Sequence, residues 1–135
     1  MTSAAASVGA TSDEPDPPPL GELLVRSAVG LREGVAVQAL VEEEELLSRE
    51  NIRTALVTKH DGVMTCRWEG IAGRLYTLGL DDGERMFLGL VLSIVGVRQS
   101  SLADVRYLDE HRLKIVLQAL MRLAGTDWIA IGIRL

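Results

Sequence analysis

Between residues 108 and 125, apolar side chains recur at three- and four-residue steps. Leu113, Val116, Leu117, Leu120, Leu123 and Ala124 fall in one stripe, the pattern of an amphipathic helix with a 3.6-residue period. His111, Lys114, Gln118 and Arg122 fall on the opposite side. Asp109 stands at the N-cap, where a carboxylate accepts from the orphan amides of the first turn. Gly125 stands where a left-handed residue closes the far end. A helix over 109–124 follows. A second, over 82–96, is marked by Asp81 as N-cap and Glu84 three residues on, the spacing of a capping box. Residues 86–97 are apolar on nearly every side, so this helix is expected to be the buried, central one.

Upstream, residues 20–31 have helical spacing through Leu20, Leu23, Leu24 and Ala28, and Gly30 and Gly34 then punctuate the chain. Another helix is expected from Val35 to about Arg49, carrying Glu42, Glu43, Glu44 and Glu45. Four consecutive acids span a full turn and cannot all face water. Glu43 and Glu44 flank the stripe defined by Leu40 and Leu47, so either this helix is partly exposed or one of them faces an arginine.

At about 53–69 the period changes to two. Asp61-Gly62 is a two-residue turn signal, because a type I′ turn needs positive φ at both central positions. Closing the hairpin there pairs His60 with Val63, Lys59 with Met64 and Val57 with Cys66, and sets Ala55 opposite Trp68. One face becomes Ala55, Val57, Met64, Cys66 and Trp68; the other becomes Leu56, Thr58, Thr65 and Arg67. Both strands agree on which face is apolar, which supports the register. A third strand is expected at 74–78. Ser101 and Asp104 are placed to cap a short turn. A C-terminal strand is expected at about 127–134, where Ile129, Ile131 and Ile133 alternate with Trp128, Ala130 and Gly132; apolar residues on both sides argue for burial on both faces.

Residues 1–19 are small, polar or Pro and end in Pro17, Pro18 and Pro19. Such a segment cannot bury enough apolar surface to offset its ordering entropy, so a disordered tail is expected. The remaining 20–135 read as one α+β domain: a small antiparallel sheet, built from the hairpin and the C-terminal strand, packed against the helix pair at 82–96 and 109–124, with one or two N-terminal helices.

Composition narrows the class. With 47% apolar residues and 4% aromatics, the core is aliphatic. The formal net charge is −5, and Asp13, Glu14 and Asp16 place much of it in the tail. The rest has interspersed signs and lacks the basic footprint of a nucleic-acid or anionic-membrane binder. One cysteine, Cys66, excludes an internal disulfide and any multi-cysteine zinc motif. The N-terminus has no positive region followed by an apolar stretch, and no run approaches the ~20 apolar residues of a membrane span. A cytoplasmic protein is expected.

Candidate chemistry is sparse. His60 and Asp61 sit at the hairpin tip, where a histidine could act near neutral pH, although the turn already accounts for Asp61. With Arg67 they form the candidate ligand or catalytic site. Cys66 is expected on the buried face as an inert thiol. Asp81 and Asp82 are accounted for by capping, and His111 lies in a helical first turn. Lys114, Gln118 and Arg122, spaced four apart, form a polar ridge that could meet phosphate. No nucleotide-binding glycine motif, nucleophile elbow, zinc-protease motif or EF-hand loop occurs, so no cofactor or metal is expected. The function expected first is a non-catalytic interaction or regulatory module, acting through self-association or a protein partner. The alternatives are a small enzyme or ligand-binding protein using His60, Asp61 and Arg67, and a nucleic-acid adaptor using Lys114 and Arg122.

Overall fold

The computed structural model describes residues 17–126, 128–130 and 132. In chain order they form α1 (Leu20–Ser27), α2 (Gly30–Glu43), α3 (Glu45–Ser48), α4 (Glu50–Leu56), β1 (Val57–His60), β2 (Val63–Cys66), α5 (Trp68–Ala72), α6 (Asp82–Val95), a 3-10 helix (Leu102–Tyr107) and α7 (Glu110–Ala124). Helix dominates, with a two-stranded antiparallel sheet among the described residues.

The locally encoded ends are where the sequence places them. The Asp81 carboxylate accepts from the Glu84 amide at 2.8 Å, and the Glu84 carboxylate accepts from the Asp81 amide at 3.0 Å, completing the capping box. Asp109 accepts from the Arg112 amide at 2.8 Å. Gly96 and Gly125 close α6 and α7 with positive φ of 103° and 75°. Gly96 is needed twice over: a Cβ there would lie 2.9 Å from Nη2 of Arg32. That guanidinium donates to the Ile94 carbonyl at 2.7 Å and the Ser93 carbonyl at 3.3 Å, satisfying the orphan acceptors at the end of α6.

The helix at the centre of the packing is α2, which contacts both α6 and α7. It buries Val35, Ala36, Val37, Ala39 and Leu40 against Phe87, Leu88, Val91 and Leu92 of α6 and Ile115, Val116 and Ala119 of α7. The expected sheet-centred packing is therefore corrected: α6 and α7 close on a helix, and the hairpin's main partners are α1 and α4. In place of one or two N-terminal helices there are, among the described residues, four, of 8, 14, 4 and 7 residues. Gly30, with φ 83°, opens α2 after the break from α1, whereas Gly34 lies inside it. The helix expected from Val35 to about Arg49 begins at Gly30 and ends at Glu43, because Glu44 takes φ 72°, ψ −40°. The break lets Glu43 turn inward. Its Oε1 accepts from the Leu46 amide at 2.8 Å, and its Oε2 accepts from Nε of Arg112 at 3.0 Å. Arg112 also meets Glu45 at 2.9 Å and Asp109 at 3.1 Å. Burial pulls this guanidinium's pKa down, but the hydrogen bond and charge of Glu43, with Asp109 and Glu45, outweigh that and hold it above its ordinary value.

The hairpin keeps its expected register, Val57 with Cys66, Lys59 with Met64 and His60 with Val63. Asp61 and Gly62 take φ of 50° and 80°, as a type I′ turn requires. The strands are shorter than about 53–69, however. Ile52, Ala55 and Leu56 are all buried, and their three-and-four spacing makes them the inner side of α4. Ala55 thus does not pair with Trp68, and Leu56 does not share a solvent face with Thr58. Trp68, expected in the hairpin strand, is instead buried with Ile71 in α5. Residues 74–78 form turns, not a strand.

α7 also faces differently from expectation. Its buried side is Arg112, Ile115, Val116 and Ala119, so the stripe read from the sequence is split. Val116 points in, while Leu117 and Leu120 are 39% and 45% exposed. Gln118 and Arg122 are half-buried, not solvated. Much of the expected C-terminal strand at 127–134 lies outside the described residues; Trp128, Ile129 and Ala130 are not in a strand and are exposed. Of the expected tail, only 17–19 is described, as exposed coil.

Candidate functional site

Leu120, exposed on α7, borders a groove. α6 contributes Leu90, Ser93 and Ile94; the 3-10 helix contributes Leu102 and Val105; α7 contributes Val116, Leu120 and Leu123. Each element is locally determined. The α6 and α7 caps are described above, and the 3-10 helix starts where the Ser101 hydroxyl accepts from the Ala103 amide at 3.2 Å. The cavity is about 230 Å³. Leu102, at its rim, is 83% exposed, so the site is an open apolar trough with a hydrophobic lip.

Polar groups enter it from Arg32, Ser93 and Ser100. The two hydroxyls lie 2.6 Å apart and reach the Gly89 carbonyl at 3.0 and 3.1 Å. Whichever hydroxyl donates to the other, both protons are used within this trio. The serines therefore offer the groove acceptor lone pairs, not donors. Arg32 gives its Nε and one Nη2 proton to the end of α6. Such a lining can hold an apolar group that carries one hydrogen-bond donor.

The residues singled out from the sequence lie elsewhere. His60, Asp61 and Arg67 line one broad, open concavity of about 690 Å³ with Thr58, Thr65, Cys66 and Glu69, so the hairpin does bring them together. His60 and Asp61 are 3.4 Å apart and both exposed, and Arg67 donates to the Thr54 carbonyl at 3.1 Å. His111 and Lys114 are exposed on α7. Arg122 is held by Glu42, at 3.0 and 3.3 Å, and Gln38 donates to the same carboxylate at 3.1 Å; this removes Arg122 from a free phosphate-facing ridge. Among the described residues, no group of three or more His, Cys, Asp and Glu side chains could hold a metal ion.

Cys66 is half-buried, and burial pushes its thiol from an ordinary 9.0 up to about 12, with the Glu33 carboxylate adding to the rise. At neutral pH it is a protonated thiol, a poor nucleophile. Slow labelling of the native protein by a thiol reagent is expected, and rapid labelling would contradict this environment. The folded state holds the thiol proton more tightly than the unfolded chain does. This contribution to stability is therefore complete below pH 9 and is lost between there and about pH 12. Urea midpoints across that range should fall less in Cys66→Ala than in the parent protein.

The groove residues Leu90, Ser93, Ser100, Leu102 and Val105 were not marked out in the sequence. The signal that points to them is indirect: more apolar positions on 82–124 than one small core can cover. Tyr76 was not marked either. Its exposed ring carries the guanidiniums of Arg85 and Arg98 at 5.1 and 6.0 Å, and both Nε atoms are buried without a hydrogen-bond acceptor, so the π face is their electrostatic partner.

No helix among the described residues is long and apolar enough to cross a membrane. Comparison with protein-family models, with curated proteins and with solved structures returns no match to this chain.

Proposed function

We propose that this chain is a non-catalytic interaction module that acts by self-association, with the trough between α6, the 3-10 helix and α7 as its contact surface. The observation that carries the reading is the exposed apolar surface of the groove, lined by Leu102 and Leu120, with Leu117 exposed on the same helix as Leu120. Contiguous apolar surface of this kind on a small domain marks a contact site. The Cys66 thiol lies away from it on the hairpin and is held protonated. Light scattering at micromolar concentration should give a mass above the 14.7 kDa of one chain. Leu120→Asp should restore the single-chain mass with an unchanged melting temperature. A parent protein that stays monomeric would defeat the reading.

One observation favours a second reading, a ligand-binding protein: the hairpin concavity does gather His60, Asp61 and Arg67. If that basin binds a small anion, inorganic phosphate should shift the His60 ring resonances, and Arg67→Ala should remove the shift.

A further inference from the structure

The trough is small. At about 230 Å³ it falls below the ~300–1,000 Å³ of typical small-molecule sites. It is scaled to one large anchoring side chain of a protein partner. Its polar groups add a chemical restriction, because the Ser93–Ser100 pair has spent its protons on Gly89 and on itself. A matching anchor is a bulky apolar group with a donor for the serine oxygens, which an indole supplies.

The chain carries such a group at the end of the helix that forms one wall of the trough. Trp128 is 80% exposed and the neighbouring Ile129 is exposed beside it. Past the left-handed Gly125, the Thr126 amide donates to the Met121 carbonyl at 2.9 Å, and the Ile129 amide donates to the Thr126 carbonyl at 3.1 Å. These bonds carry the chain off α7 and leave Trp128 outside the trough of its own molecule.

We infer that Trp128 of one molecule anchors in the Leu102–Leu120 trough of a second copy, and that the exchange is reciprocal. Each copy then gives one hook and receives one, so the contact closes as a two-fold dimer and does not propagate. The inference rests on the self-association reading and adds the identity of the occupant.

Sedimentation velocity on the full-length chain tests it. Trp128→Ala and Leu102→Asp alter exposed side chains, so at concentrations where the parent is also monomeric their thermal melts should match it. Each should weaken dimerisation by about 30-fold or more, the loss expected for an interface anchor. Mixing the two variants should recover part of the association, because the Leu102→Asp chain still carries Trp128 and the Trp128→Ala chain still has an intact trough. If Trp128→Ala dimerises like the parent, the anchor is wrong while self-association stands. If Leu102→Asp has no effect, or the mixture does not recover, the trough is not the receptor. A monomeric parent overturns both readings together.

Discussion

Replacing Arg112 with methionine should destabilise the protein by about 3–5 kcal/mol, read as a fall of more than ~10 °C in the thermal midpoint. The size follows from what the substitution leaves behind. The Glu43 side chain has no solvent exposure, and Arg112 faces it at 2.9 Å with only 9% of its own side chain exposed. Methionine fills comparable volume, so the cost is not a cavity. It is a carboxylate without its cation in a low-dielectric setting, where the desolvation penalty is no longer offset. Glu45 and Asp109 lose a partner too, but they are largely exposed and water replaces it. The double substitution Arg112→Met with Glu43→Leu removes both charges and should recover most of the loss. If the single variant melted within a few degrees of the parent, the pair would not be the buried tie between α2 and α7 described above.

The second large effect separates two neighbouring positions that look alike in sequence. Ile115→Ala should cost about 2–5 kcal/mol, since Ile115 is buried against α2 and its loss leaves a void. Leu117→Ala should change stability by less than about 0.5 kcal/mol, because a truncation on the surface opens no void. Urea unfolding of both variants at concentrations where the protein is monomeric decides the matter. The reverse ranking would mean that α7 packs through the stripe containing Leu113, Leu117 and Leu120, and that the trough is not exposed.

What could be read from the chain follows a physical division. Asp81 with Glu84, Asp109, Gly125 and the Asp61-Gly62 turn were legible because each acts within a few residues of itself. The Val57–Cys66 register followed from the turn. Residues 52–56 were misread because Ile52, Ala55 and Leu56 fit an alternating strand at one end and a helical turn at the other, and only the packing of α4 decides between them. Glu43 was legible in part: either the helix was partly exposed or one of Glu43 and Glu44 faced an arginine. Which of the candidates it meets depends on a contact spanning 69 positions, which no local pattern encodes. The trough was the least legible, since α6, the 3-10 helix and α7 each supply two or three residues with no shared period.

The rotational setting of α7 has a consequence for how uniquely this chain folds. The helix carries two apolar faces about 150° apart, one through Ile115 and Ala119 and one through Leu117 and Leu120. Hydrophobic burial alone would separate the two settings by little, and such near-degenerate packings give a sequence several competing compact states. The arginines near either end of the helix break the tie. Arg112 reaches Glu43 and Arg122 reaches Glu42 only when the first face is turned inward. Ten residues separate them, about 15 Å along the axis, so the two ion pairs resist both roll and slide. Charge thus selects which face becomes core and leaves the other available as surface.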